Sequence, residues 1–241
     1  CGFAVPDQPR PFLIDPVREL ESALRRLDAL DFEIGSLALL GGEAMLAPRS
    51  LEAMLGVAAA AGCVRRVELV TNGLTPKGLS LRALGFVKRL SLSDYTSDGA
   101  LAEAWRAWLA SRAPHLEFVV RRHASWDRWA DVVDLGEAGG QAAYDQCWYR
   151  RHCVTLERGR IFVCSRIPKL ALDEQGLVLD DQTTRADVIE YLSAPMAPAA
   201  CRTCTPMADL PPVKPGEQPD DRLVDLRQRA LEWFVSQEVV R

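Results

Sequence analysis

Apolar residues repeat at helical spacing over 15–30, DPVRELESALRRLDAL, and an Asp-Pro step supplies a helix start. A short apolar run, IGSLALL at 34–40, ends in Gly41-Gly42. The alternation then returns as a helix over 50–61, a strand VRRVELV at 64–70, a helix near 78–86 and a strand VKRLSLS at 87–93. A helix ALAEAWRAWLASR and a strand LEFVV at 116–120 follow. Helix and strand in strict turn predict a parallel sheet covered by helices, open or rolled into a barrel. In such folds reacting groups sit on the loops that follow the strands. The expected strand ends carry GGE at 41–43, TNG at 71–73, SDY at 93–95 and RRH at 121–123. Taken singly, the same residue types also serve as caps and turns.

The pattern changes after about residue 140. A Gly-rich junction, GEAGG, leads into CWYRRHCVTLERGRIFVC at 147–164, where TLE and RIFVC flank Arg158-Gly159 as strands flank a hairpin turn. Residues 205–219 read as a proline-rich linker, and 220–239 as an amphipathic helix with Leu223, Leu226, Ala230 and Phe234 on one side.

A length of 241 residues allows at most two domains. The 29 basic residues against 33 acidic ones, with a pI near 5.5, leave no basic field for phosphate backbones, so nucleic acid is not an expected partner. The longest apolar stretch, AMLGVAAAAGCV, is too short to cross ~30 Å of hydrocarbon, and a soluble chain is expected. Six of the seven cysteines lie at one end or the other of a cysteine-poor middle, which fits a reduced, cytoplasmic setting better than a disulfide framework. The sequence opens on Cys1 with no signal segment before it, and is expected to begin partway into a longer protein.

Cys147 is followed by eleven residues, Gly159, four residues and Cys164, and a Cys-x-x-Cys pair, Cys201 and Cys204, comes later. Four thiolates from a hairpin and a short turn can surround a metal centre. Zinc would staple the loops, whereas a cubic iron-sulfur cluster could carry electrons, and spacing alone does not separate the two. Cys147 and Cys153 both precede Gly159 and only one is needed; the longer spacing favours Cys147. Cys63, at the end of an alanine-rich helix, is expected to be a small buried hydrophobe. His123 and His152 are possible proton acceptors or plain structural side chains.

These residues together resemble a radical S-adenosylmethionine (SAM) enzyme with the shortened auxiliary-cluster extension called a twitch domain, related to the SPASM type. GGEAMLAP at 41–48 resembles the family's GGEP motif, TNG and SLSDY resemble its third and fourth strand ends, and Cys-x11-Gly-x4-Cys with CRTC resembles the twitch signature. Alanine stands where the family's GGEP has proline. Of the hallmark Cys-x-x-x-Cys-x-x-Cys only Cys1 is present, in the place of the third ligand. The resemblance implies an α/β chain with a partial (β/α)6 TIM-like barrel over 1–140, a twitch-type hairpin-plus-helix cluster domain over 141–210, and a linker and C-terminal helix over 211–241.

The resemblance also implies cofactors. One [4Fe-4S] cluster, with Cys1 among its ligands, would bind SAM, and an auxiliary [4Fe-4S] cluster would draw its ligands from Cys147 or Cys153, Cys164, Cys201 and Cys204. Gly41 and Gly42, followed by Glu43, would meet the SAM amino group; Asn72 and Ser93, with Asp94, the ribose; and Arg121 or Arg122 the methionine carboxylate. Reductive cleavage of SAM yields a 5′-deoxyadenosyl radical, fed by a one-electron donor of flavodoxin or ferredoxin type. A fully ligated auxiliary cluster can only take or relay an electron, which points to oxidation of an alcohol to a ketone in a small polar substrate of sugar or aminocyclitol type. Cys153 as a spare thiol would instead donate a hydrogen atom and make the enzyme an epimerase. Modification of a ribosomal peptide and a zinc-stapled binding module without SAM chemistry are the remaining readings.

Overall fold

A computed structural model describes residues 15–96, 98–122, 133–170, 173–204, 211–212 and 220–238. The chain falls into two compact units that interleave along the sequence, one formed by 33–124 and 215–241, the other by 1–32 and 125–214.

The first unit holds a four-stranded parallel sheet. Its strands are β1 (Leu37–Leu39), β2 (Val67–Thr71), β3 (Arg89–Ser93) and β4 (Glu117–Arg121), side by side in chain order. Helices α2 (Pro48–Ala60), α3 (Leu81–Phe86) and α4 (Ala100–Arg112) connect them. Leu39 pairs with Leu69, Leu69 with Leu90, and Leu90 with Phe118. β2 and β3, the two central strands, are buried along most of their length, polar positions such as Glu68, Thr71 and Ser91 included, and Leu69, Leu90 and Leu92 are fully buried. The predicted helices and strands from 50 to 120 all form, with ends shifted by a few residues.

Gly73 follows β2 with φ +74°, and a Cβ there would stand 2.3 Å from Leu92 Cδ1, so the turn of TNG excludes other residues. Its carbonyl accepts from buried Trp105 Nε1 at 3.0 Å. The last helix, α9 (Asp220–Glu238), brings Ala230 and Phe234 into this core, as its sequence pattern predicts. Phe234 meets Trp105 edge to face at 5.2 Å and Trp108 at 6.1 Å. At the amino end of the sheet Glu68 is buried but not solitary, since Arg66 Nη2 lies 2.8 Å and Arg89 Nη1 3.5 Å from its Oε1.

The second unit begins with α1 (Pro16–Ala29). Asp15 Oδ1 caps it, accepting from the amides of Val17 and Arg18, and Leu20, Ala23, Leu24 and Leu27 form its buried stripe. Further along, β5 (Thr155–Glu157) and β6 (Arg160–Phe162) pair antiparallel across Arg158 and Gly159, whose φ values of 54° and 66° suit the two-residue turn the sequence predicts. A third strand, β7 (Leu177–Val178), joins β6. The Gly-rich stretch expected to be a junction is instead helical, as α5 (Gly136–Gln146). Gly140 explains why: a Cβ there would meet the Arg202 backbone at 3.0 Å, so the glycine lets α5 lie against the 3₁₀ turn Ala199–Thr203. Tertiary packing outweighs glycine's poor helix propensity. α6 (Trp148–His152), α7 (Arg166–Lys169) and α8 (Arg185–Ser193) complete the unit, and a Thr184–Asp187 capping box opens α8. Tyr144, Phe162, Val163, Ile167 and Ala200 form its core near the cysteines.

The structure is therefore mixed α/β with a parallel sheet flanked by helices. Among the described residues the parallel sheet has four strands, and none of their helices is long and apolar enough to cross a membrane.

Candidate functional site

Because all four strands run the same way, their carboxyl ends gather polar residues on one edge of the sheet. Glu43, after β1, turns its carboxylate toward β2. Oε1 accepts from Thr71 Oγ1 at 2.8 Å and from the Met45 amide at 3.1 Å, and Oε2 accepts from the Asn72 amide at 2.8 Å. Thr71 Oγ1 in turn accepts from the Gly73 amide at 2.9 Å, and Asn72 Oδ1 from the Leu74 amide at 2.9 Å. One carboxylate thus locks the GGE turn to the TNG turn.

At the end of β3, Asp94 is buried and its carboxylate is fully engaged. Oδ1 accepts from Thr96 N at 2.9 Å and Thr96 Oγ1 at 2.6 Å, and Oδ2 from Arg122 Nε at 3.3 Å. Ser93 hydrogen-bonds the Tyr95 side chain; burial pushes the Tyr95 phenol up, that hydrogen bond opposes the rise, and the Glu43 charge adds to it. Arg122 lies over Gly99, where a Cβ would meet its Nη2 at 2.3 Å. Arg121 is exposed, pairs with Ser93 in the sheet register, and is not tied down as Arg122 is. Arg122 meets Asp94 through Nε and is otherwise largely exposed, so both guanidiniums face solvent where an anion could meet them.

Gly41 and Gly42 differ from the other motif glycines. Neither has φ in the left-handed region, and a Cβ at either would meet nothing within 4 Å. Nothing within the fold explains glycine at 41 or 42.

In the second unit five cysteines lie within three short segments. Cys147 joins α5 to α6, Cys153 ends α6, Cys164 follows β6, and Cys201 and Cys204 sit on the 3₁₀ turn against α5. None of the five is in a disulfide bond. Burial pushes the Cys164 thiol up to about 11, with Cys147 and Cys204 adding to the rise and a 3.4 Å hydrogen bond from the Arg166 amide to Sγ opposing it. Burial pushes Cys201 up to about 12, and the charges of Cys204, Cys164 and Cys147 add to it. Cys147, Cys164, Cys201 and Cys204 therefore lie within electrostatic reach of one another. Cys153 is also raised, by burial first, yet only Cys147 acts on it. Among the described residues no three His, Cys, Asp or Glu side chains are already drawn together tightly enough to hold a metal ion. The four thiols are neighbours with a common soft-metal chemistry, which suits zinc or an iron-sulfur cluster and no hard cation.

Cys63 is buried, as expected. His152 is exposed and lies 4.7 Å from the Trp148 ring. Cys1, His123, 205–210 and 213–219 lie outside the described residues. Sequence reasoning gave no role to Thr71, Tyr95, Thr96 or Arg166. Tyr95 and Arg166 were within reach of it, one inside SDY and the other two residues after Cys164. No family model matches the chain, and no curated protein matches it.

Proposed function

We propose that the chain is a radical SAM oxidoreductase acting on a small polar substrate of sugar or aminocyclitol type, with SAM at the carboxyl edge of the sheet and an auxiliary [4Fe-4S] cluster on the cysteines. The finer architecture belongs to the same proposal, namely a partial (β/α)6 barrel followed by a twitch-type cluster domain. The observation that carries the reading is the neighbourhood of Cys147, Cys164, Cys201 and Cys204, contributed by three segments of one unit. Cys164 and Cys201 pack against the same apolar core and their thiols are raised by burial, which favours a strongly positive centre as the partner that would draw off the protons.

When bound, SAM on a site-open cluster supplies a carbon radical able to abstract hydrogen from an unactivated C–H bond. The chain's own residues orient and shield. Gly41 and Gly42 leave the backbone bare toward an amino group, Asn72 and Ser93 offer polar groups to a ribose, and Arg121 offers a fork of donors to a carboxylate. Glu43 and Asp94 act by holding the turns that carry those groups. Cys147, Cys164, Cys201 and Cys204 would hold the auxiliary cluster, which would supply an acceptor for the electron released when an alcohol is oxidised to a ketone. The donor for SAM cleavage is an external one-electron reductant. Iron and sulfide analysis of oxygen-free protein tests the reading, and zinc as the sole metal would overturn it.

Gly41→Ala and Gly42→Ala separate a ligand role from a structural one. Since each added methyl enters open space at an ordinary φ, the thermal midpoint is expected to stay within about 2 °C of the parent. SAM affinity, measured by equilibrium dialysis, is expected to fall about tenfold or more; unchanged affinity in both would remove the glycines from the site.

One observation favours a second reading. The Cys153 thiol is influenced by Cys147 and not by Cys164, Cys201 or Cys204, which favours Cys147 as the ligand and Cys153 as a hydrogen-atom donor that would complete an epimerisation. In Cys153→Ala that reading expects full iron content with turnover lost. Iron lost in parallel with turnover would make Cys153 a ligand instead.

A further inference from the structure

The side chain packed most closely among the cysteine segments is a cation. Arg166 is 2 % exposed, a burial that arginine rarely reaches without balancing charge. Its amide donates to Cys164 Sγ at 3.4 Å, while Nη1 at the far end of the side chain donates to Ala200 O and to Thr203 Oγ1, both at 3.3 Å. Thr203 Oγ1 also donates to Ala200 O at 3.2 Å, closing a small polar ring. One residue therefore bridges the hairpin segment that carries Cys164 and the 3₁₀ turn that carries Cys201 and Cys204. The walls around it are apolar, with Phe162, Ile167 and Ala200 in the adjoining core, so its charge is poorly screened by water.

We infer that Arg166 is the built-in countercharge of the cysteine site, a positioning residue whose guanidinium offsets the negative charge of the gathered thiolates and sets how readily a centre bound there takes an electron. The inference rests on the proposed four-cysteine ligation. A cubic cluster on four thiolates is a dianion that becomes a trianion on taking one electron, so a fixed positive neighbour favours the reduced form. Removing that charge moves the reduction potential to more negative values, and replacing it by another cation keeps the potential in place.

The test uses the full chain reconstituted with iron and sulfide without oxygen, as parent, Arg166→Gln and Arg166→Lys. Iron per chain is measured on each, and the auxiliary cluster is titrated with a chemical reductant while its paramagnetic signal is followed. The expected result is a negative shift in R166Q at parental iron content, with R166K close to the parent. A potential that is the same in all three overturns the inference. Should R166Q fail to hold iron, R166K decides: parental iron and potential uphold the countercharge, and behaviour like R166Q overturns it.

A parent that binds no iron would refute the cluster reading while leaving the countercharge open to measurement with cobalt(II). The thiolate-to-metal absorption of cobalt-loaded protein gives its affinity. R166Q is then expected to bind cobalt about tenfold or more weakly than the parent, as loss of one unit charge beside a dianionic site costs at an effective dielectric of about 20. Equal affinity would overturn the inference.

Discussion

Replacing Cys164 and Cys201 together by alanine is expected to remove about four irons per chain, half of what two cubic clusters would contribute to the intact enzyme. These two thiols are the most deeply set of the group and pack against the Tyr144–Phe162 core, so neither can be substituted by a neighbouring side chain swinging in from solvent. A methyl in their place leaves little void, and the hairpin and 3₁₀ turn should fold; far-UV circular dichroism is expected to stay near that of the parent. The oxidative half of the reaction would fail, because an electron on the substrate would have no acceptor. On the proposed function SAM cleavage would persist, since the residues proposed to bind SAM lie in the other unit. Measuring 5′-deoxyadenosine and ketone product side by side distinguishes the outcomes. Loss of both together, with iron unchanged, would refute the assignment of these cysteines to an auxiliary centre.

Glu43→Ala is expected to have the second large effect, for a reason unrelated to direct catalysis. Its carboxylate is the acceptor for Thr71 Oγ1, the Asn72 amide and the Met45 amide, and alanine leaves all three donors without it. A partly buried donor left unmatched costs about 1–3 kcal/mol, and partial access to water lowers the total, so about 2 kcal/mol of stability should be lost. Urea denaturation measures this. The same change frees the GGE turn from the TNG turn, and misplaced SAM contacts should lower kcat/KM on the order of a hundredfold. Glu43→Gln should be intermediate: its oxygen can replace one carboxylate oxygen, but its amide nitrogen cannot accept from whichever backbone donor it then faces. If Glu43→Gln retains full activity and stability, the locking role is wrong.

The sheet was readable because short strand runs alternate with helices that carry apolar stripes, and its two central strands are buried. The helix at 100–112 emerged at its predicted limits. β7 was not readable, since two residues contain no period to detect, and it exists only because β6 offers it an edge. Nor was α5, where two adjacent glycines argue locally for a loop and the reason for the helix lies some sixty residues later at Arg202. The candidate site divides in the same way. Motif positions such as Glu43 and Asn72 could be singled out, but their partners could not, because Thr71 and Thr96 are ordinary β and turn residues until the fold supplies a carboxylate. Arg166 was marked only by standing two residues after Cys164; its burial, which gives the position its interest, is not disclosed by composition.

The interleaving of the two units bears on how the protein is made. α4 leaves the ribosome long before α9, yet Trp105 and Trp108, besides meeting each other, pack against Phe234 and Trp233 of the last helix, and Arg227 reaches Asp98 across 129 positions of chain. Until the last helix is synthesised the nascent sheet unit exposes two tryptophans, a surface suited to chaperone capture. A translational pause near the end of the message, or a fusion that delays release of the last helix, should therefore lower soluble yield more than an equal delay placed between α4 and α5.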